Sequence, residues 1–330
     1  MNIKLLILLA IVIGSLYFFR LGYRRYRDHK EDYVQNNFVG KYVKRNGIDL
    51  WTETFGNQQA PAILLISGDM GSARGWTDEF CSHLASKGFF VIRFDHRDTG
   101  LSSSIDYSKN PYTLEDMVDD IIAILDAYNI NKAHLVGHSV GGTLAQLCAI
   151  KHPDRCSTIT VIAGKSVEEP ELTEKEKNTL AKTWEILLAN KPTLDFNESI
   201  DGFLKSYKYL SGTVLFNEGM ARADVKDMYE RSKHMYKTDD DQIKAFEVPH
   251  NHVRAQKEID ITKNDVQKIT VPTLIIHGQE DYIALPVNAK VTAQAIPGSK
   301  LIMIPGMGHM FFNRELEQQI ADLIVEHVNL

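Results

Sequence analysis

The chain has 330 residues, of which 44% are hydrophobic and 24% charged, a composition that excludes a disordered chain, a collagen-like fibre and a coiled-coil rod. Its net charge is −6, but residues 1–30 hold six basic residues and one acidic residue, which leaves 31 basic and 42 acidic residues in the rest. Because an acidic body repels phosphate backbones, we expect no nucleic-acid partner. The three cysteines, Cys81, Cys148 and Cys156, form no CxxC pair and predict neither a disulfide framework nor a zinc site.

An uncharged apolar run occupies residues 5–19. A helix of that length spans about 22 Å, short of the ~30 Å hydrocarbon core of a bilayer, but snorkelling of Lys4 and Arg20 extends the usable stretch to residues 3–23. A basic cluster follows the run and no A-x-A-like cleavage site does, which favours an uncleaved anchor over a signal peptide or a buried helix. The positive-inside rule then predicts an N-terminal transmembrane helix in a single-pass protein, with the body of the chain in the cytoplasm.

Short apolar runs that recur along the chain predict the strands of a buried sheet. They lie at residues 62–66, 89–94, 133–136, 158–162, 273–276 and 301–304, after a hairpin predicted around Asn46-Gly47 from residues 41–43 and 48–54. Helical patterns lie between or after them at residues 77–87, 113–128, 140–151, 286–295 and 314–328. This alternation predicts an α/β fold with a mainly parallel sheet flanked by helices.

The alternation breaks at residues 166–268, which are rich in charge and show amphipathic helical patterns, for example at residues 173–189 and 224–236. We interpret this stretch as a helical cap inserted between two strands of the sheet. The predicted organisation has four parts: an apolar anchor with a basic flank (1–30), the first part of the core (31–165), the helical cap (166–268) and the second part of the core (269–330).

The sequence Gly137-His-Ser-Val-Gly141 lies directly between the predicted strand 133–136 and the predicted helix 140–151. A G-x-S-x-G pattern in a strand–turn–helix context is typical of a nucleophile elbow. The tight turn forces the serine into a strained backbone conformation, and small neighbours let strand and helix approach closely. The pattern therefore predicts Ser139 as a nucleophile at the carboxyl edge of the sheet.

A serine nucleophile needs a base and an acid that orients the base, and in this architecture the acid and then the histidine follow the serine along the chain. Asp281 lies on the loop after the predicted strand 273–276, and His309 lies on the loop after the strand 301–304. Both loops emerge at the carboxyl edge of the sheet. We predict His309 as the base and Asp281 as the acid, with Glu280 as the alternative acid.

An oxyanion hole needs two N–H donors. The first predicted donor is the backbone N–H of Val140, the residue after the nucleophile. The second is the N–H of Asp69 or Met70 on the loop after strand 62–66. Because a carboxylate beside an oxyanion is unfavourable, we expect the Asp69 side chain to turn away or to bond within the loop.

Together these motifs resemble the α/β-hydrolase superfamily over residues 41–330, and the resemblance implies the α/β-hydrolase fold. The stretches that carry it are Ser67-Gly68 and residues 94–102, 137–142, 272–281 and 305–309. Within it, residues 75–80, 95–103 (DHRDTGLSS) and 304–309 (IPGMGH) resemble aclacinomycin methylesterase-type enzymes, which are cofactor-free esterases that hydrolyse a methyl ester on a polyketide. The chain departs from many relatives at Ser67, where a histidine often precedes the oxyanion glycine, and at Asp98, where glycine is frequent.

These observations predict a serine hydrolase that cleaves a carboxylic ester of a small or medium apolar substrate through an acyl-enzyme, with no metal or organic cofactor. The His250-x-His252 pair has no evident third ligand, and we interpret Asp95, Arg97 and Ser102 as structural groups of their loop. Peptidase, lipase and acyltransferase activities stay open because the same triad serves them all. A non-catalytic binding protein that kept the fold is the alternative outside the enzymes.

Overall fold

The computed structural model describes residues 39–165, 170–191, 193, 195–232, 251–256 and 263–329. The chain divides into two compact units, Met1–Gly40 and Lys41–Leu330, and the account below concerns the second. The predicted transmembrane helix at residues 3–23 lies outside the described residues. Within the described ranges, no helix is both long enough and apolar enough to cross a bilayer.

One sheet of eight strands forms the centre of the second unit, in the order β1-β2-β4-β3-β5-β6-β7-β8. Its strands are β1 (Lys41–Arg45), β2 (Ile48–Phe55), β3 (Ala62–Ile66), β4 (Phe90–Phe94), β5 (Ala133–His138), β6 (Cys156–Ile162), β7 (Thr273–Gly278) and β8 (Lys300–Ile304). Strand β2 pairs antiparallel with β1 and β4, and all the other pairings are parallel. The predicted α/β fold with a mainly parallel sheet is confirmed.

Helices follow most of the strands. They are α1 (Asp78–Ser86), α2 (Leu114–Ala127), α3 (Val140–Lys151), α4 (Glu174–Ala189), α5 (Phe196–Leu210), α6 (Glu218–Ser232), α7 (Asn251–Ala255), α8 (Lys263–Val266), α9 (Pro286–Ala295) and α10 (Arg314–Val328). The five helices predicted outside the cap all form, and their ends differ from the predicted ends by at most one residue. Local signals explain this agreement: Thr113 and Asp116, for example, form a capping box at the start of α2.

The core lies on both faces of the sheet because its central strands are apolar on both sides. Every residue of β3 is buried, and successive side chains point to opposite faces. Leu64 packs in one cluster with Ile121 of α2, whereas Ile63 packs in another with Leu84 of α1. This burial holds the carboxyl ends of the parallel strands, and the loops that leave them, in fixed positions.

Helices α4 to α8 lie between β6 and β7 in the chain, where the sequence predicts a helical cap. Helix α6 begins at Glu218, earlier than the predicted residue 224, because the Asn217 side chain accepts a hydrogen bond from the N–H of Met220 at 3.1 Å and caps the helix. Helix α5 was not predicted individually. The predicted end of α6 at residue 236 lies outside the described residues, and the boundaries of the cap stay a prediction.

Candidate active site

Ser139 lies in the turn between β5 and α3, with φ 54° and ψ −119°. This left-handed conformation is costly for a residue with a side chain and persists only where the surroundings enforce it. Here the flanking glycines do so: a Cβ on Gly137 would lie 2.0 Å from the Gly141 oxygen, and a Cβ on Gly141 would lie 2.2 Å from the Ile66 oxygen. The structure therefore has the strained strand–turn–helix geometry that the G-x-S-x-G pattern predicts.

Asp281 and His309 meet at this edge of the sheet, since Nδ1 of His309 lies 2.8 Å from Oδ2 of Asp281. The other carboxylate oxygen accepts the N–H groups of Ile283 and Ala284, at 3.0 and 2.8 Å. Burial by itself would raise the pKa of Asp281, but the charge and hydrogen bond of His309 lower it below its ordinary value. Asp281 thus stays ionised and fixes the orientation of the imidazole.

The side chain of Glu280, the alternative acid, has other partners than His309. Its carboxylate accepts hydrogen bonds from the hydroxyls of Thr213 at 2.8 Å and Tyr282 at 3.3 Å. Of the two adjacent carboxylates, the structure brings Asp281 to His309.

His138 joins the loop of His309 to the turn of Ser139. Its Nε2 donates a hydrogen bond to the backbone oxygen of His309 at 2.9 Å, and the two rings lie 5.0 Å apart. Burial, followed by the nearby His309 ring, lowers the pKa of His138 to about 3, so the ring is neutral. The sequence analysis did not predict this contact between His138 and the His309 loop, because His138 occupies a variable position of the motif.

Because they lack a Cβ, two glycines allow close backbone contacts around the His309 loop. A Cβ on Gly308 would lie 2.1 Å from the Leu210 oxygen at the end of α5, and one on Gly278 would lie 2.1 Å from the Met307 oxygen. The N–H of His309 donates to the same Leu210 oxygen at 2.6 Å. The backbone that carries the histidine is therefore held by both the sheet and the cap.

The loop predicted to complete the oxyanion hole lies against the serine, since a Cβ on Gly68 would be 3.0 Å from the Ser139 Cβ. Met70 adopts a positive φ of 61°, and the N–H of Gly71 bonds to the Gly68 oxygen at 3.2 Å. Val140 is the first residue of α3, where a helix leaves its N–H groups without partners within the helix. The structure therefore brings the loop and the helix start together, and the identity of the second donor stays a prediction.

The Asp69 side chain contacts the cap. Its Oδ1 lies 3.5 Å from Nδ1 of His252 on α7. The loop is also held by His96, whose Nε2 lies 3.0 Å from the Ser67 oxygen, and by the Ser67 hydroxyl, which donates to the Ser72 oxygen at 2.8 Å.

The loop after β4 forms hydrogen bonds within itself and to neighbouring elements, and within it the Ser102 hydroxyl donates to the backbone oxygen of Asp95 at 2.6 Å. The side chains of Asp95, Arg97 and Ser102 are buried, and the Asp95 carboxylate accepts the N–H groups of Ala73 and Leu101 at 2.7 and 2.8 Å. Arg97 forms an ion pair with a carboxylate of α2 at 2.8 Å. These contacts agree with the interpretation of the three residues as structural groups, which stays a prediction.

No cluster of three or more His, Cys, Asp or Glu side chains suited to a metal ion occurs in the part of the chain that the structure describes. His252 of the H-x-H pair donates through Nε2 to the Arg97 oxygen at 2.7 Å, and His250 lies outside the described residues.

A mainly parallel sheet with a strained serine after β5, a carboxylate after β7 and its histidine partner after β8 defines an α/β hydrolase. Residues 61–314 match the family model described as alpha/beta hydrolase fold, and the chain belongs to this family. It is similar to rhodomycin D methylesterase of Streptomyces sp. (strain C5), with 31% identity over 82% of this chain and 91% of the relative. The rhodomycin D methylesterase of Streptomyces peucetius is 29% identical over the same shares of the two chains. The resemblance to methylesterases of this type is confirmed.

Solved structures support the fold alone, because their identities are low. A membrane phospholipase A has a TM-score of 0.69 at 18% identity, covering 99% of this chain and 97% of that one. A meta-cleavage product hydrolase from Pseudomonas fluorescens has a TM-score of 0.67 at 20% identity, covering 88% of this chain and 98% of that one.

Proposed function

We propose that this protein is a serine hydrolase that cleaves a carboxylic ester of a small or medium apolar substrate through an acyl-enzyme. One observation carries the proposal: Ser139 is held at φ 54° in the elbow, at the same edge of the sheet as a His309 whose Nδ1 is bound by the buried carboxylate of Asp281. Nucleophilic acyl transfer uses a serine, a histidine base and a carboxylate that orients the base, and these three groups lie at one edge of the sheet.

The steps use side chains and backbone groups already described. Asp281 binds the Nδ1–H of His309, which leaves Nε2 as the proton acceptor. As the Ser139 oxygen attacks the ester carbonyl, Nε2 takes its proton, and the N–H of Val140 with that of Asp69 or Met70 stabilises the oxyanion. His309 then protonates the leaving alcohol. Water attacks the acyl carbon with His309 again as the base, which releases the acid and restores Ser139.

Among such esters we favour a methyl ester as the substrate. The similarity to the rhodomycin D methylesterases supports this choice.

Labelling and turnover test the proposal together. A fluorophosphonate probe should label the full-length protein in mild detergent and should not label Ser139→Ala. A panel of esters that varies acyl length and alcohol size should show turnover, highest for methyl esters of small or medium apolar acids. Absence of both labelling and turnover would instead support the non-catalytic binding protein, and preference for peptides, long-chain lipids or acyl acceptors would identify one of the alternative activities.

We also propose that residues 3–23 anchor the protein in a membrane with its body in the cytoplasm. The proposal is supported by the uncharged run at residues 5–19 and by the basic cluster that follows it.

A further inference from the structure

His252 is the point where the short helix α7 meets the core. Its side chain is fully buried, and its Nε2 lies 2.7 Å from the backbone oxygen of Arg97. Because a carbonyl oxygen can only accept, Nε2 carries a proton. The charge of the ring therefore depends on whether Nδ1 also carries a proton.

Nδ1 faces the carboxylate of Asp69 at 3.5 Å. Both Nδ1 of His252 and Oδ1 of Asp69 are buried, and neither has a geometrically complete hydrogen bond among the described residues. In a neutral ring, Nδ1 would present a lone pair to the buried Oδ1 of a carboxylate whose side chain is 25% exposed, and this contact is repulsive. A protonated ring presents an N–H and a positive charge, and a small approach of the two groups completes an ionic hydrogen bond.

The other charged and titratable groups around His252 agree with a protonated ring. The ring of His96 lies 5.6 Å away, and burial together with the charge of His252 lowers the pKa of His96 to about 3. Of the two rings, His252 is therefore the one that carries the charge. Burial by itself would lower the pKa of His252 too, but the hydrogen bond and charge of Asp69, the Arg97 oxygen and Asp98 raise it above its ordinary value.

Among the described residues, the remaining neighbours add no competing cation at Nδ1. The ring of Tyr112 lies 6.4 Å from that of His252, and its hydroxyl donates to Asp98 at 2.7 Å. Asn251, the residue before His252, donates to the same carboxylate at 3.1 Å. The guanidinium of Arg97 is paired with the carboxylate of Asp120.

We propose that His252 is a positioning residue of the oxyanion hole: as an imidazolium it holds the Asp69 carboxylate away from the oxyanion and keeps the Asp69–Met70 backbone against Ser139. The inference rests on the proposed serine-hydrolase function. It explains how an aspartate can occupy an oxyanion loop, where its charge would otherwise oppose the developing negative charge. It also makes the loop depend on a residue that lies between β6 and β7, more than 180 positions further along the chain.

This arrangement has a consequence for the pH dependence of turnover. When His252 loses its proton at alkaline pH, the Asp69 carboxylate faces a lone pair and is no longer held. The oxyanion donors then lose their position, so kcat falls while KM changes little, because the donors act on the transition state. Replacement of Asp69 by asparagine removes the charge and with it the alkaline decline.

The test measures kcat and KM of the wild type and four variants between about pH 6 and pH 10. Asp69→Asn should lack the alkaline decline that the wild type shows. His252→Gln keeps a donor for the Arg97 oxygen but loses the charge, and its kcat should fall about tenfold or more with KM within about twofold. His252→Asn places an amide near the position of Nδ1 and should lose less than His252→Gln. His83→Gln is the control, since His83 forms a separate pair with Asp322 at 2.7 Å, and its profile should match that of the wild type.

An NMR titration of the His252 Cε1–H signal supplies a readout that needs no turnover. The pKa of His252 should fall by about one unit or more in Asp69→Asn. An unchanged pKa, or an alkaline decline that persists in Asp69→Asn, would overturn the proposal even if the His252 variants fail to fold. Fluorophosphonate labelling of the wild type distinguishes failure of the proposed function from failure of this inference. If the probe does not label the protein, the serine-hydrolase proposal fails, whereas the NMR titration still reports on the His252–Asp69 pair.

Discussion

At the residue scale, the strained backbone of Ser139 is built by its neighbours and not by its own side chain. Replacement by alanine removes the hydroxyl, and the flanking glycines still allow the same turn. We expect Ser139→Ala to lose on the order of 10³-fold or more in kcat/KM for ester hydrolysis, with an unchanged unfolding temperature. Kinetics and thermal unfolding check this, and substantial turnover in the variant would contradict the assignment of Ser139 as the nucleophile.

The two adjacent carboxylates allow a matched comparison. Asp281→Asn offers an amide to Nδ1 of His309 and favours the wrong tautomer, so kcat should fall by about 10⁴-fold. Glu280→Gln should keep near wild-type kcat, since the Glu280 side chain bonds to Thr213 and Tyr282. Equal losses in the two variants would show that the orienting acid is not Asp281 alone.

The buried carboxyl group of Glu317 on α10 should make the stability of the protein depend on pH. The side chain is buried, with one hydrogen bond from the Thr77 hydroxyl at 3.2 Å, and burial raises its pKa from 4.5 to about 7. The folded state therefore favours the protonated form, and stability is lost as the pH rises from 4.5 towards 7. Glu317→Gln should raise the free energy of unfolding by on the order of 2–3 kcal/mol at pH 8 and by almost nothing at pH 4. Urea unfolding at both pH values measures the difference, and an equal gain at both would contradict this explanation.

At the element scale, a buried arginine of cap helix α6 forms ion pairs with the core. Arg231 is 1% exposed and donates to the carboxylates of Glu53 and Asp95, each at 2.8 Å. Burial would raise the pKa of Glu53, but Arg231 and Arg93 lower it to about 2. The helix therefore docks through a desolvated ion network, in which the loss of one partner leaves charges buried without compensation.

We expect Arg231→Met to reduce the free energy of unfolding by about 3–5 kcal/mol. Arg222→Met on the same helix is the matched control: Arg222 pairs with Asp201 and Glu218 at the surface and is 40% exposed, so its replacement should leave the free energy of unfolding nearly unchanged. Urea unfolding of both variants gives the comparison. Similar small effects would mean that α6 is held mainly by apolar packing.

At the scale of the whole molecule, residues 41–330 form a compact unit with the sheet and the candidate site. We expect deletion of residues 1–30 to move the protein from the membrane fraction to the soluble fraction, with kcat on a small ester retained within about threefold, which is under ~1 kcal/mol of barrier. Cell fractionation and kinetics measure both results. Aggregation of the truncated protein would instead suggest that the apolar segment packs against the hydrolase domain.

The predicted orientation has its own test. If the basic cluster after the apolar run keeps the body in the cytoplasm, protease added to intact cells should leave the body uncut, and protease added to inverted vesicles should cut it. Cleavage from outside, or a mature protein that lacks residues 1–20, would favour export.

The strands and helices of the core could be predicted because the sequence patterns that specify them span only a few residues. Strand 62–66 and helices 140–151, 286–295 and 314–328 form within the predicted bounds, since apolar periodicity and capping residues act over a few positions. The predicted start of α6 was wrong, because the cap that Asn217 forms begins the helix before the apolar pattern that starts at residue 224. The boundaries of the cap and the N-terminal helix stay predictions.

By itself, the sequence determined the α/β architecture and the strained turn of Ser139, because alternating patterns and the glycines of one pentapeptide impose them through short-range sterics. The tertiary structure decided which groups meet. It selected Asp281 over its neighbour Glu280 as the partner of His309, and it joined His252 to Asp69. The physical reason is that a carboxylate or an imidazole acquires its partner, its charge state and its burial only when distant loops arrive at the same edge of the sheet, and no local pattern in the chain encodes that meeting.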